Sequence, residues 1–263
     1  MIWNFLDTGA RSGDANMLID EALALRLQAG IGSPTLRVYR WQPFAVSLGF
    51  NEPANDFDPL RLRNAGIDLV RRPTGGRAIL HAEELTYSVV MRIDGQSLKA
   101  IYGLINSALL AGVRLLGIDA ALAASSDDFR ALYAGPSSIP CFAASAKSEI
   151  QYRGKKLIGS AQRRYGEVIL QHGSFLLGPG HRRIAEFLSP QAATIQRTIE
   201  QHLETHTIDA RAILGREVTF EETAQCIRHG FESVCGVGFT PSSFVGPEAV
   251  GAMLPTQSMD IAS

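Results

Sequence analysis

Hydrophobic positions in the first thirty residues recur at the spacing of a helix. In the stretch DANMLIDEALALRLQAG, Leu18, Ala22 and Leu25 lie three or four positions apart, Asp14 precedes the run as a candidate N-cap, and Gly30 follows it. The pattern predicts an amphipathic helix that ends at Gly30, after a short strand-like start.

Short strands and a short helix are predicted next. The stretches TLRVYRW and AVSLGF are strand-like, and Pro43 lies in the break between them. A short helix is indicated near Asp58 to Asn64. Apolar residues at every second position then predict a further strand, which contains Leu85, Tyr87, Val89 and Met91.

The second half of the chain carries the strongest patterns. SLKAIYGLINSALLAGVRLLG predicts a long, largely buried helix that ends at Gly117. SEIQYRGKKLIGSAQRRYGEVILQHGSFLL predicts a meander of three strands joined at Gly154 and Gly166. HRRIAEFLSP and EVTFEETAQCIRHGFESVCG predict helices, the second with Thr219 as N-cap and Glu222 at capping-box spacing.

This order of elements predicts an α+β fold, with a mixed, largely antiparallel sheet flanked by helices. The 263 residues suffice for a sizeable core, and no repeat or Pro/Ser-rich linker occurs before about residue 241. We therefore expect one catalytic or binding domain over residues 1–240 and a loosely ordered tail over residues 241–263, with a tail docked on the domain as the alternative.

Composition narrows the classes of partner. The net charge of -1 and the pI near 6.6 provide no global attraction to nucleic acid or to an anionic membrane. No apolar run reaches the roughly 18 residues of a membrane span, and the start lacks a signal-peptide pattern. Three cysteines, an odd number, argue against a disulfide framework. We expect a cytoplasmic protein that recognises its partners locally.

Common cofactor and metal signatures do not occur in the sequence. It has no GxxxxGK(S/T) loop, no GxGxxG that opens a helix, no HExxH and no CxxC. Cys226 and Cys235 lie nine positions apart on a predicted helix, hence on opposite faces, and we interpret both as core residues. We expect neither a metal nor a bound cofactor.

Cys141 is different, because GPSSIPCFAASAKSEI places it in a loop of small residues before the meander. Lys156 follows on the first long strand, and an ammonium group near a thiol lowers the thiol pKa. Neighbours on a strand face opposite ways, so only one of Lys155 and Lys156 can point inward. The alternatives are a buried, inert cysteine and a solvated lysine.

The turn between Val70 and His81 combines arginines with a glycine pair. Arg71, Arg72 and Arg77 flank Gly75 and Gly76, which permit positive φ and close approach of a ligand to bare backbone. A solvated hairpin with surface arginines is the alternative.

His81 and His172 each lie in an apolar strand context. A lone histidine in such a context is more often a hydrogen-bonded core residue than a catalyst. Sequence pattern alone therefore gives neither histidine a chemical role.

Four blocks in order resemble the superfamily of lipoate-protein ligase A, octanoyltransferases and biotin-protein ligases. They are RRPTGGRAILH, LTYSVV, GKKLIGSAQRR and ILQHGSFLL, and NMLIDEALA resembles the first helix of the family. The resemblance covers roughly Ile2 to Phe239. It implies a mixed-sheet catalytic domain in which the arginine-glycine turn and Lys156 surround an acyl chain and its activated carbonyl.

Within this superfamily the sequence is most similar to the cysteine-dependent octanoyltransferases. The ligase pattern of the turn reads RRxxGGGAVxHDxGN, whereas here Arg77 replaces the third glycine and the residues from Ala82 to Leu85 replace the Asp-x-Gly-Asn portion. The octanoyltransferase pattern, RRPTGGRxxLHxxELTYS, fits instead. That subgroup has its cysteine in a loop shortly before the GxKxxGSAQ strand, and Cys141 occupies this place.

The resemblance implies a reaction and its partners. An octanoyl group would pass from octanoyl-acyl carrier protein through a Cys141 thioester to a lysine of a lipoyl domain, in a glycine-cleavage H protein or a dehydrogenase E2 subunit. Lys156 would assist at the acyl carbonyl, and the strand around Tyr87 and Val89 would line the acyl tunnel. The implied substrate-binding residues are Arg72, Gly75, Gly76, Arg77, His81, Tyr87, Gly159 and Ser160. Basic residues that would receive the lipoyl domain are Lys147, Arg163 and Arg164.

Two other functions stay open on the sequence alone. An ATP-dependent lipoate-protein ligase would use Lys156 as an adenylate contact and leave Cys141 incidental. A non-catalytic paralogue would bind an acyl chain or a lipoyl domain without transfer.

Overall fold

The computed structural model describes residues 1–123 and 149–241. In chain order the strands of these residues are β1 (Ile2–Arg11), β2 (Thr35–Trp41), β3 (Ala45–Leu48), β4 (Asp68–Arg71), β5 (Ile79–His81), β6 (Glu84–Arg92), β7 (Ala121–Leu122), β8 (Ile150–Tyr152), β9 (Lys155–Tyr165), β10 (Val168–Leu176) and β11 (Gly238–Pro241). The predicted meander, with its joints at Gly154 and Gly166, is confirmed as β8, β9 and β10.

Eight of these strands form one mixed sheet in the order β11-β1-β2-β6-β10-β9-β8-β7. β1 is parallel to β2 and β11, and the remaining described pairs of this sheet are antiparallel. The predicted fold class, an α+β fold with a mixed and largely antiparallel sheet, is therefore confirmed.

A second, three-stranded sheet has the order β4-β3-β5. β3 is parallel to β4 and antiparallel to β5, so it lies between the two strands that the arginine-glycine turn connects. The hairpin alternative for this turn is therefore wrong, because a hairpin joins neighbouring strands. Strands of three and four residues are too short to give a periodic sequence signal, and the sequence predicted only β3.

Six α-helices lie within the described residues. They are α1 (Gly13–Gln28), α2 (Pro59–Asn64), α3 (Leu98–Leu115), α4 (Gln196–His206), α5 (Ala210–Leu214) and α6 (Phe220–Cys235). The stretch HRRIAEF lies in a 3-10 helix over Pro179–Phe187 rather than in the predicted α-helix. Helices α4 and α5 were not predicted from the sequence.

The helix caps decide where α1 and α6 begin. Thr219 caps α6 as predicted, since its side chain accepts a hydrogen bond from the Glu222 amide at 3.1 Å. The prediction for α1 is wrong, because Ser12 accepts from the Ala15 amide while Asp14 lies inside the first turn. An acidic residue there is still favourable, since it faces the positive end of the helix dipole.

The main core lies between the large sheet and the helices α3 and α6. Alternate residues of β2 and β6, among them Val38 and Tyr87, pack with Ile101 and Ile105 of α3 and with Phe231 of α6. α1 covers the opposite face of the same strands, where Ala24 and Leu27 contact Val90 and Leu170. Strand β6 is thus buried on both faces, and its position in the middle of the sheet leaves it no solvent side.

Helix α3 is long and apolar enough, by length and composition, to cross a membrane, which the sequence analysis did not expect. Its 18 residues have a mean hydropathy of 1.3, and no other helix of the described ranges meets the same test. One side of α3 nevertheless packs on the sheet and on α6, as in the core helix of a globular domain.

Candidate active site

A cleft of about 570 Å³, including the part open to solvent, lies where the small sheet meets β9 and β10. The turn of residues 72–77, which leaves the end of β4, contributes Arg72, Gly75, Gly76 and Arg77 to one wall. Met17 of α1 and two aromatic side chains of β2, Tyr39 and Trp41, contribute apolar surface, and Lys156 lies on β9. The cleft is mostly apolar with a few convergent polar groups, as in most small-molecule sites.

The structure brings most of the sequence-predicted site residues into this one cleft. Its lining includes Arg72, Gly75, Gly76, Arg77, His81, Lys156, Gly159 and Ser160. Cys141 and Lys147 lie outside the described residues. Residues almost a hundred positions apart in the sequence thus meet at a single site. The order of the motifs along the chain does not by itself imply this proximity.

Arg72 braces the turn from within. It is 7% exposed, and its guanidinium donates to the carbonyl oxygens of Ser47 (2.9 Å), Gly75 (2.9 Å) and Arg77 (2.7 Å). Arg71 binds the neighbouring loop, with Nη1 2.7 Å from the Gly49 carbonyl oxygen. Both arginines therefore satisfy backbone carbonyls, and Arg72 holds the turn while Arg71 holds the loop after β3.

The two glycines of the turn serve different purposes. Gly76 has φ +95°, where a side chain is strained. Gly75 is unstrained, and a Cβ placed there would meet no protein atom within 4 Å, so its missing side chain leaves space in the cleft. Gly49 allows the β3 loop to pass close to the turn, since a Cβ at Gly49 would collide with the Gly76 carbonyl.

Glu52 supports the turn, although sequence reasoning gave it no role. Its buried carboxylate accepts hydrogen bonds from the backbone amides of Gly49 and Ala78, both at 2.9 Å. Burial raises its pKa, which these two hydrogen bonds and the nearby charges of Arg72 and Arg77 oppose. The sequence GFNEP offers no periodic or motif signal for this contact.

Lys156 is the inward-facing lysine of the pair at the start of β9. Its Nζ lies 2.9 Å from Oε2 of Glu149, and each side chain is 5% exposed. Lys155 faces outward and donates to the Glu204 carbonyl oxygen at 3.1 Å. The prediction that only one of the two lysines points inward is confirmed. Glu149, one residue before β8, also lines the cleft and was missed by the sequence analysis.

His81 lies on the cleft wall with both ring nitrogens engaged. Nε2 is 2.7 Å from the Ser47 hydroxyl, and Nδ1 is 2.8 Å from the Glu84 carboxylate. The Trp41 ring stacks on the imidazole with centroids 4.0 Å apart. His81 is thus a hydrogen-bonded, nearly buried residue, as its strand context indicated, and it also borders the space available to a ligand.

Tyr87 and Val89 do not line this cleft, and their place in an acyl tunnel stays a prediction. Both are fully buried in the core against α3, while Thr86 of the same strand faces the cleft. A shift of one residue exchanges the faces of a strand. Tyr87 contributes indirectly, since its hydroxyl is 2.7 Å from Oγ of Ser160. The apolar lining of the cleft comes instead from Met17, Tyr39, Trp41 and Ile79.

Cys226 and Cys235 behave as core residues. Both are partly buried and pack against the main core cluster. Burial raises the pKa of both thiols, that of Cys235 to about 11. Neither thiol is suited to nucleophilic chemistry at neutral pH, since the thiolate is the reactive form.

Arg163 has a structural contact that the sequence did not indicate. Its Nη1 donates to the Pro73 carbonyl oxygen at 2.8 Å, and its guanidinium lies 4.5 Å from the centroid of the half-exposed Phe50 ring. Arg164 is exposed and pairs with Glu167 at 2.7 Å. Arg163 therefore belongs to the turn, and a docking role for these arginines stays a prediction.

Comparison with known proteins identifies the family. The model of the lipoyl protein ligase A/B catalytic domain matches residues 12–232. Octanoyltransferase LipM of Kyrpidia tusciae is 37% identical over 254 residues, which are 94% of this chain and 92% of that protein. Octanoyltransferase LipM of Symbiobacterium thermophilum is 39% identical over 251 residues, which are 94% of this chain and 91% of that protein.

Solved structures show the same fold at low sequence identity. A bi-partite lipoate protein ligase from Thermoplasma acidophilum, described together with its E2 lipoyl domain, has a TM-score of 0.78 at 20% identity, covering 96% of this chain and 91% of that one. A lipoate-protein ligase A bound with ATP has a TM-score of 0.74 at 23% identity, covering 95% and 92%. Together with the sequence matches, these findings show that the chain belongs to the lipoyl protein ligase A/B catalytic-domain family.

Proposed function

We propose that this protein is an octanoyltransferase of lipoate assembly, which attaches an octanoyl group to a lysine side chain of a lipoyl domain. The observation that carries the proposal is the cleft that joins the turn of residues 72–77 to Lys156, in a chain 37% and 39% identical to relatives named octanoyltransferase LipM. The turn sequence TGGRAILHAEELT supports it as well, since it departs from the ligase pattern at Arg77.

In this proposal the donor is octanoyl-acyl carrier protein and the nucleophile is Cys141. The thiolate attacks the donor carbonyl, the carrier leaves as its thiol, and one thioester replaces another at nearly constant free energy. The lysine amine of the lipoyl domain then attacks the Cys141 thioester, forms an amide and releases the thiol. Amide formation from a thioester is downhill, so the donor supplies the free energy and the reaction needs neither ATP nor a cofactor.

Lys156 and the turn would stabilise the charge that develops at the acyl carbonyl. An ammonium group in a largely buried cleft favours the thiolate and donates to the oxyanion. Backbone amides near Gly75 and Gly76 would add further donors, each contributing roughly 3 kcal/mol. The apolar wall around Met17 and Trp41 would receive the chain, with about 0.8 kcal/mol for each CH₂ group that is buried.

The acceptor in this proposal is a lipoyl domain, carried by a glycine-cleavage H protein or a dehydrogenase E2 subunit. The archaeal ligase of the same fold is described with its E2 lipoyl domain, which supports this class of partner. Arg77 lines the cleft, and Arg163 contacts the turn beside it through the Pro73 carbonyl, so both would place positive charge near an acidic partner.

Mass spectrometry of the intact protein tests the proposal. The protein mixed with octanoyl-acyl carrier protein alone is expected to gain the mass of one octanoyl group, and hydroxylamine is expected to remove it because the bond is a thioester. Cys141→Ala should give neither adduct nor transfer. Cys226→Ala and Cys235→Ala are the matched controls and should behave as the parent, since both thiols pack against the core.

The main alternative to octanoyl transfer is ATP-dependent lipoate ligation, and the same assays distinguish the two. Transfer that requires ATP, accepts free lipoate and survives Cys141→Ala identifies a ligase. A protein that binds an octanoyl analogue or a lipoyl domain but transfers with neither donor is the non-catalytic paralogue.

A further inference from the structure

A fully buried charged cluster lies behind the cleft, centred on Asp20 of α1. Oδ1 of Asp20 accepts from Nη1 of Arg37 at 2.6 Å and from the Ser88 hydroxyl at 2.7 Å. Oδ2 accepts from the Tyr39 hydroxyl and from Nδ1 of His172, both at 3.0 Å. Asp20 and Arg37 have no exposed surface. Such a cluster is costly to bury. His172 links it to the cleft, because this histidine contacts Asp20 and also lines the cleft.

Ionisation fixes which atoms donate along this cluster. Burial raises the pKa of Asp20, but Arg37 and His172 outweigh this effect and lower it below the ordinary value, so the carboxylate only accepts. Burial lowers the pKa of His172, so its ring is neutral at pH 7. Nδ1 therefore carries the single ring proton and donates it to Asp20, and Nε2 is left as an acceptor.

The acceptor Nε2 faces the turn. Its distance to the Thr74 hydroxyl is 2.6 Å, so Thr74 donates to the imidazole. Thr74 has no exposed surface, and its carbonyl accepts from the Phe50 amide at 2.9 Å. Arg72 holds the turn through the Gly75 and Arg77 carbonyls, whereas Thr74 ties it to the large sheet immediately before Gly75.

We propose that Asp20 is a positioning residue for acyl transfer, because it holds His172 in the tautomer that accepts from Thr74 and thereby fixes the Gly75 and Gly76 backbone at the acyl carbonyl. The proposal rests on the octanoyl transfer proposed above. It assigns His172 and Thr74 to the same chain of hydrogen bonds. The alternative is a purely structural cluster that joins α1 to the sheet and has no specific effect on the turn.

Substitutions at Thr74 and Ser88 separate these two readings. Thr74→Val keeps the shape but removes the hydroxyl, and Thr74→Ser keeps the hydroxyl. Ser88→Ala is the matched control, because it removes a hydrogen bond to Oδ1 of Asp20, the carboxylate oxygen that does not contact His172. Each variant is assayed for its melting temperature and for kcat and KM of octanoyl transfer.

The expected result is a loss confined to kcat. Thr74→Val should lower kcat by about tenfold or more with KM within about twofold, since a small misplacement of catalytic groups weakens transition-state contacts. Thr74→Ser should restore most of the rate. Ser88→Ala should lower the melting temperature but keep kcat within about twofold of the parent. A Thr74→Val protein that transfers at the parental rate, or a Ser88→Ala protein that loses as much kcat, overturns the proposal.

Nitrogen NMR of ¹⁵N-histidine-labelled protein tests the link to Asp20. The parent should show His172 as the neutral tautomer protonated at Nδ1, and Asp20→Asn should change this signature and lower kcat as Thr74→Val does. Because Asp20→Asn leaves the Arg37 guanidinium buried without its counter-ion, the double variant Asp20→Asn/Arg37→Gln is measured beside it.

An unchanged His172 tautomer in both Asp20 variants overturns the role of Asp20. If the parent itself transfers no octanoyl group, the proposed function fails. If the parent is active and the Thr74 variants are not impaired, only the positioning role fails.

Discussion

The ion pair between Lys156 and Glu149 makes the lysine hard to test by a single substitution. Both side chains are 5% exposed, and the pair is 2.9 Å long. Removing one partner of a buried ion pair costs about 3–5 kcal/mol. That is a large part of the 5–15 kcal/mol by which domains are typically stable. Lys156→Met is therefore expected to lose activity partly because the protein is destabilised.

A double substitution separates stability from chemistry. In Lys156→Met/Glu149→Gln a neutral amide replaces the buried carboxylate. We therefore expect the free energy of unfolding, measured in urea at pH 7, to return to within about 1–2 kcal/mol of the parental value. Octanoyl transfer should stay about 10²- to 10³-fold slower, the typical cost of one donor to an oxyanion. Lys155→Met, which removes the outward-facing neighbour, is the control and should match the parent in both assays.

The rate of the double variant decides between the two roles. If Lys156→Met/Glu149→Gln regains both stability and transfer, the lysine only balances the charge of Glu149. Single-turnover formation of the acyl-enzyme is the appropriate measurement, because it isolates the first chemical step from product release.

Two further predictions follow from the cleft and from a buried histidine. Gly75→Val should keep the melting temperature of the parent, because a Cβ at this position meets no protein atom, but the side chain should fill the cleft and abolish binding of an octanoyl analogue in a calorimetric titration. Gly49→Ala should instead lower the melting temperature, because its Cβ collides with the Gly76 carbonyl. Analogue binding by Gly75→Val equal to that of the parent would contradict the site. Burial lowers the pKa of His181 from 6.5 to about 3, so the unfolded chain binds a proton that the native protein excludes. The unfolding free energy should fall below pH 6.5, by about 2 kcal/mol at pH 5. In His181→Gln, the unfolding free energy measured by urea titration should not show this fall of about 2 kcal/mol between pH 7 and pH 5. A pH dependence equal to that of the parent would show that other groups cause the fall.

Local signals were sufficient for the longer elements. The helical spacing of apolar residues predicted α1, α3 and α6, and period-two runs with glycines at their ends predicted β8, β9 and β10. The family motifs identified eight of the residues that line the cleft, among them Gly76, whose positive φ favours glycine over other residue types.

Other features depend on which surface a neighbouring element covers. Tyr87 and Thr86 both lie on a strand that is buried on two sides, so the sequence contains no polar face to show which of them meets the ligand. Strand β5 was missed because three residues are too short to give a periodic signal. The crossing path of residues 72–77 was missed because it depends on β3 pairing between β4 and β5.

The sequence by itself therefore determined the main helices and the strands of the meander, because each rests on local periodicity, and its motifs supplied the residue types at the turn. Only the tertiary structure decided the partners of buried charges: Glu149 for Lys156, and Arg37 and His172 for Asp20. A buried ion needs a counter-charge at hydrogen-bond distance, and that partner is chosen by how distant segments pack rather than by spacing along the chain.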